Sequence, residues 1–244
     1  MAEPLWLVRA GTVGYRRAWA WQRELVARRA AGEIPDTVLL LEHPHVYTLG
    51  KRGSDADVLV PEALLAAQGA EVVRTDRGGQ VTYHGPGQLV GYPITLLDRA
   101  PDLRMWVGKI QDALIGVAAA YGADAHPELG DATGVYVGPA KLAAIGMRVS
   151  RRVTSHGFAL NCDTDLTRFA AIVPCGVPGA AVCSLSTLAG RPVTVAEALP
   201  LAERELARAL DREPALVEVG TLDLPALDYH PEPSATTATA TSGR

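Results

Sequence analysis

Residues 77–93 read RGGQVTYHGPGQLVGYP, and few backbone paths suit such a segment. Glycine belongs where the chain must take a positive φ or pass close to another group. Gly78-Gly79 and Gly85-Pro86-Gly87 read as tight turns, and Gln80-Val81-Thr82-Tyr83 between them suits a short strand. Gln80, Tyr83, His84 and Gln88 add polar side chains that a plain hairpin does not need. The segment is either an ordinary glycine-rich loop or the wall of a site, and the remainder of the chain must separate the two.

At 244 residues with 48% hydrophobic content, the chain can bury one large core, and no linker divides roughly the first 220 residues. A net charge of −4 gives no support to a nucleic-acid binder driven by phosphate neutralisation. The first residues lack the features of a signal peptide. No apolar run approaches the roughly 18 residues of a membrane span, so no membrane association is expected. Cys162, Cys175 and Cys183 are an odd set without a CxxC pair, which fits a reducing cytoplasm better than a disulfide framework. The expectation is a soluble cytoplasmic protein.

Taken in order, residues 6–9 read as a strand, and residues 15–31 as a helix whose arginines form a solvated face or a docking patch. Residues 37–42 (TVLLLE) suit a strand buried on both sides. His43-Pro44-His45 reads as a turn with incidental histidines rather than a metal site. A short helix at 61–68, a strand at 71–74, a strand at 91–97 and a long helix at 105–121 follow. Residues 133–137 and 142–149 read as a hairpin pair, and 153–160 as a further strand interrupted at His156-Gly157. One helical turn at 166–169 precedes a braced loop at 172–178. The amphipathic helix at 195–210 places Glu197, Glu203, Arg204, Glu205 and Arg208 outside and is kinked or split at Pro200. Residues 230–244 turn to Pro, Ser, Thr, Ala and Gly and read as a disordered tail. This order predicts an α+β fold: a single domain of mixed and antiparallel sheets packed with helices.

The six histidines make no zinc spacing, and Gly85-Pro86-Gly87 continues into no phosphate-binding motif. A nucleophile fits better. Cys175 stands between Pro174 and Gly176 in a rigid, open loop, whereas Cys162 and Cys183 lie beside apolar segments and read as structural. A reactive thiol needs a cationic or basic partner. Lysine is scarce, occurring only as Lys51, Lys109 and Lys141. Lysine can exchange a proton near neutrality when burial lowers its pKa, which arginine cannot do. Lys141, which opens the segment KLAAIG, is the candidate acid–base.

RGGQVTYHGPGQLVGYP, KLAAIGMRVSRRVTSHGFALN, IVPCG and the upstream EHPHVYTLGKRG together resemble the lipoyl(octanoyl) transferase (LipB) family of octanoyltransferases, within the biotin/lipoate protein ligase superfamily. The resemblance runs in order over residues 41–188 and leaves the tail outside. It implies a biotin/lipoate ligase-like catalytic domain over 1–229. It also implies transfer of an octanoyl group from octanoyl-acyl carrier protein to a lysine of lipoyl domains, those of 2-oxoacid dehydrogenases and the glycine cleavage H protein, with lipoyl-acyl carrier protein as a further donor. Cys175 would carry the acyl thioester and Lys141 would lower its pKa. Substrate contacts would fall on Arg77, Gly78, Gly79, Gln80, Val81, Thr82, Tyr83 and His84, on Ala144, Ile145 and Gly146, and on Gly157, Phe158 and Ala159. Backbone N–H groups near Gly78-Gly79 or Ile145-Gly146 would hold the oxyanion. No cofactor, metal or nucleic acid is implied, and a monomer is expected. Arg148, Arg151 and Arg152 form either a docking patch for acidic partners or a solvated strand. An ATP-dependent ligase, a thioesterase and a non-catalytic carrier-binding module remain the rivals.

Overall fold

The computed structural model describes residues 3–97, 103–173 and 180–230. Cys175, the 174–178 part of the braced loop, and the tail beyond His230 lie outside them.

The centre of the fold is strand β2 (Asp36–Glu42). Its apolar run has two clients. Val38 and Leu40 join one core, while Leu39 and Leu41 join another on the opposite side. The two-residue period of a strand divides such a run between two faces. Around β2 lie β1 (Pro4–Thr12), β6 (Gln88–Ile94), β7 (Ala125–Glu128), β8 (Gly134–Val137), β9 (Ala140–Ser150), β10 (Val153–Asn161) and β11 (Glu213–Leu216). They form one sheet in the order β11-β1-β2-β6-β10-β9-β8-β7. β11 and β2 run parallel to β1, and the remaining pairs are antiparallel.

Helices α3 (Leu103–Ala120) and α5 (Val195–Leu210) cover one face, sharing a core with Leu5, Leu89 and Leu160. Helix α1 (Tyr15–Ala30) covers the other through Ala18 and Leu25. A second sheet, β4 (Glu71–Arg74), β3 (Val46–Leu49) and β5 (Val81–His84), packs with α2 (Glu62–Ala67) around Tyr47, Leu65 and Tyr83. Helix α4 (Leu185–Ala189) is a single short turn with a Ser184–Thr187 capping box. This is the α+β arrangement of mixed sheets and helices expected from the sequence. No helix among the described residues is long and apolar enough to cross a membrane.

The structure corrects several local expectations. Residues 46–49, to which the sequence assigned no element, form β3, and all four are buried, so no alternation marked them. β6 begins at Gln88 rather than at 91, and β7 and β11 are additional strands. β10 is unbroken: His156 takes φ 54, yet the ladder with β9 runs from Val153 to Leu160. α5 continues through Pro200, the missing N–H being offset by Ala198, Ala202 and Leu206 buried against the core shared with α3.

Glu203 is not outside. It is 7% exposed and receives both Nε and Nη2 of Arg9 at 2.6 Å. The arginines of α1 are not a free solvated face either. Arg28 donates to Leu222 O, Arg17 pairs with Asp228, and Arg23 lies over the Tyr229 ring, so they clasp the C-terminal segment to the domain. Two of the three arginines proposed for docking are likewise engaged, Arg148 with Asp76 and Arg152 with Leu97 O.

These contacts rank two substitutions. Ile110 has no exposed surface, and Ile110→Ala should cost about 2–5 kcal/mol through the cavity it leaves. Glu203→Ala should cost only about 1–2 kcal/mol, because the Arg9 side chain is 46% exposed and can turn to water. Urea unfolding of both variants checks the order.

Candidate active site

The site is built where β9 and β10 pair. Gly146 stands opposite Gly157, and Ala144 opposite Ala159. Four small residues at matched register leave a smooth depression on the sheet, and the space above it is the cavity. Opposite, β5 turns alternate residues the same way: Thr82 and His84, in phase with Gln80, border the cavity. The space between the sheets is about 520 Å³.

Of the substrate-contact residues expected from the sequence, Arg77, Gly79, Gln80, Val81, Thr82 and His84 border this cavity on one side. Ala144, Ile145, Gly146, Gly157, Phe158 and Ala159 border it on the other. Gly78 and Tyr83 do not. The Gly78 N–H donates to Met147 O at 2.9 Å, which takes it from the oxyanion candidates. Tyr83 turns into the core of the small sheet, and its hydroxyl meets His45 Nδ1 at 2.7 Å. Gly146 has to be glycine for a steric reason, since a Cβ there would lie 2.8 Å from Gly78 O.

The cavity has a wet end and a dry end. Asp131, Pro139 and Ala181 are exposed at one, while Tyr15, His84, Tyr92 and His156 are all buried at the other. Lys141 borders the cavity with Nζ 5.2 Å from the centre of the Tyr136 ring. Its backbone is zipped to the chain that follows the braced loop: Lys141 N donates to Ala181 O at 2.9 Å, and Cys183 N donates to Lys141 O at 3.0 Å. Phe169 before that loop, and Ala180, Ala181 and Val182 after it, also border the cavity.

Arg77 is a staple as well as a lining residue. It is 7% exposed and donates to Thr48 O at 2.5 Å, to Thr48 Oγ1 and to Gly78 O. This ties the glycine turn to β3.

The histidines of the dry end are not incidental. Nδ1–H of His43 donates to Val13 O at 2.6 Å, and its Nε2 accepts from the Tyr92 hydroxyl at 2.6 Å. His84 Nδ1 faces Gln88 Oε1 at 2.8 Å. His156 Nε2 faces Asp76 Oδ1 at 2.7 Å. Burial lowers the His43 pKa to about 4 and, helped by the Arg77 and Arg148 charges, that of His156 to about 3. His84 is held well below the usual range by burial and by His43 and Arg77. Burial raises the Tyr15 hydroxyl to about 12. The histidines and tyrosines of this end are therefore neutral at neutral pH, and the Arg77 guanidinium is a charge that Tyr15, His84, Tyr92 and His156 feel. Tyr15, Tyr92, His43 and His156 were not selected from the sequence as site residues; they come together only through the fold.

The other cysteines are inert by environment. Burial pushes the Cys162 thiol up to about 12 and the Cys183 thiol up to about 11.

A cavity between a mixed sheet and a small glycine-rich sheet, dry at one end and with a lysine on its wall, is the layout of an acyl-handling catalytic domain. Residues 14–207 match the Lipoyl protein ligase A/B catalytic domain. A chain named octanoyltransferase from Salinispora tropica is 50% identical over 208 residues, covering 83% of this chain and 94% of its own. Another of that name from Acidothermus cellulolyticus is 51% identical over 215 residues, covering 84% and 94%. Lipoate-protein ligase A bound with ATP superposes with a TM-score of 0.75 at 19% identity, covering 90% of each chain. The bi-partite lipoate protein ligase of Thermoplasma acidophilum, solved with its E2 lipoyl domain, gives 0.72 at 18%, covering 90% and 88%. The chain belongs to the lipoyl protein ligase A/B catalytic-domain family and, within it, to the octanoyltransferases.

The neutral histidines predict an acid-labile fold. His43 and His156 have folded pKa values of about 4 and about 3 against 6.5 when free, so the unfolded chain binds more protons below 6.5. Their contribution is complete above pH 6.5 and is lost as pH falls towards those lower values, at up to about 1.4 kcal/mol per pH unit for each group. The urea midpoint should fall between pH 7.5 and 5.5, and His43→Asn should flatten the slope.

Proposed function

We propose that the protein transfers an octanoyl group from octanoyl-acyl carrier protein to a lysine of lipoyl domains through a thioester on Cys175. The observation that carries this reading is the cavity itself. It is closed by buried, neutral histidines and tyrosines at its inner end, floored by Gly146, Gly157, Ala144 and Ala159, and has Lys141 on its wall. The chain segments on both sides of the loop that bears Cys175 border the same space, which supports that loop as the source of the nucleophile.

In the first step the Cys175 thiolate adds to the carrier thioester carbonyl. A new S–C bond forms, the carrier thiolate leaves, and Lys141 returns it a proton. In the second, the acceptor lysine amine attacks the acyl-enzyme, an amide forms, and Cys175 is released while Lys141 handles the amine proton. Splitting the transfer in this way lets two bulky proteins visit one site in turn. Exchange of thioester for amide is downhill, so the reading calls for no nucleotide. Burial of the chain contributes about 0.8 kcal/mol per CH₂, which favours octanoyl over much shorter groups. The Gly79 and Gly146 neighbourhoods remain the oxyanion candidates. Lipoyl-acyl carrier protein is a second donor under the same mechanism. The glycine cleavage H protein and the 2-oxoacid dehydrogenase lipoyl domains are the acceptors, met by a monomer in the cytoplasm.

Cys175→Ala and Lys141→Ala should each abolish transfer, while Cys162→Ala and Cys183→Ala should retain it. Intact-mass measurement after incubation with octanoyl-acyl carrier protein should find one octanoyl group, on Cys175. Normal transfer by Cys175→Ala, or a strict need for ATP, would overturn the mechanism.

A further inference from the structure

We propose that Tyr136 is a positioning residue for the transfer reaction: its ring face holds the Lys141 ammonium at the cavity wall for its work on Cys175. This rests on the octanoyl-transfer reading and deepens it.

Lys141 reaches that wall because β9 carries a bulge. Against β8, Ala144 pairs with Gly134 and Ala143 with Val135, but the next pair is Tyr136 with Lys141, so Leu142 is an extra residue. Ala144 borders the cavity and Ala143 lies in the core shared with α3 and α5. Strict alternation from these two would send Leu142 to the cavity and the lysine into that core. The extra residue reverses both. Leu142 and Ala143 have no exposed surface and belong together to the core, while Lys141 and Tyr136 border the cavity. Bulges beside active sites re-aim a side chain in this way.

The lysine stem then passes beside Gly134. A Cβ on that glycine would lie 3.3 Å from Lys141 Cε and 3.5 Å from Tyr136 Cε2, so the three residues share one face. The stem ends with Nζ 5.2 Å from the centre of the Tyr136 ring, within the roughly 6 Å over which an aromatic face attracts a cation. The ring is itself held. Its hydroxyl donates to Ala132 O at 2.8 Å, and His126, opposite it on β7, stacks on it with ring centres 6.2 Å apart. His126, Tyr136 and Lys141 form a row across three strands with the tyrosine in the middle. A lysine stem is flexible, and misplacing a catalytic group by about 1 Å can cost it most of its effect. A fixed ring face under the ammonium removes that freedom.

The test uses the full-length protein with octanoyl-acyl carrier protein and a lipoyl domain. Tyr136→Phe, which keeps the ring and gives up the Ala132 bond, should retain kcat within about 3-fold. Tyr136→Leu, which fills similar space without an aromatic face, should lower kcat about 10-fold and leave KM within about 2-fold. A second readout separates positioning from mere support of the strand: the rate at which iodoacetamide alkylates Cys175, resolved by peptide mass. Lys141→Ala and Tyr136→Leu should each slow it, and the double variant should be no slower than Lys141→Ala alone. A kcat for Tyr136→Leu no lower than for Tyr136→Phe, or losses that multiply in the double variant, overturns the role of Tyr136 and leaves the transfer reading standing. Cys175 alkylation that ignores Lys141→Ala, or normal transfer by Cys175→Ala, defeats the parent reading and this one with it. Should Tyr136→Leu fail to fold, phenylalanine and trifluorinated phenylalanine at position 136, nearly equal in shape, decide instead. The fluorinated ring has lost its negative face and should transfer several-fold more slowly, and equal rates overturn the proposal.

Discussion

The register between β9 and β10 is the constraint on which the rest depends. With Gly146 opposite Gly157 and Ala144 opposite Ala159, the sheet presents a patch without bulk. A slip of one residue would exchange every side chain between the two faces. It would put Ile145 and Phe158, now committed to the core shared with α3 and α5, where the small residues are needed. The space is thus a product of strand pairing rather than of a loop that happens to stand open. Arg77 fixes the opposite wall by stapling the glycine turn to Thr48, so both walls are set by backbone-level contacts.

A second consequence of this geometry is electrostatic. The dry end gathers His43, His84, His156, Tyr15 and Tyr92 from separate parts of the chain, and burial holds the histidines neutral. Neutral rings make a wall that is polar in composition but adds no charge of its own to that of Arg77 beside it. The order in which these groups are tied, ring to ring to backbone, also keeps them from turning inward and filling the space.

Much of this was legible in the sequence, for identifiable reasons. The run at 37–42 and the helices α1, α3 and α5 carry strong periodic patterns, and the glycine turns announce themselves. The cavity residues at 144–146 and 157–159, and those of 77–84 other than Gly78 and Tyr83, were accessible because they lie within long recognisable motifs. What was hidden depends on contacts distant in sequence. β3 is buried at every position and so shows no alternation. Glu203 looks like a surface acid until Arg9, 194 residues away, is placed against it. The pairing of α1 with the C-terminal segment, and the convergence of Tyr15 and Tyr92 on His84 and His156, have no local signature at all.

The position of β11 has a bearing on how the chain is made. β1 spans Pro4–Thr12, yet its outer edge is covered by β11, formed from residues 213–216. Until residues 213–216 have been synthesised, β1 presents an unpaired edge, the kind of surface on which strands of other chains add. Parallel pairing makes the cover harder to supply locally, because no hairpin can bring it there. Between the synthesis of β1 and that of β11 the nascent protein must therefore keep this edge unpaired or shielded.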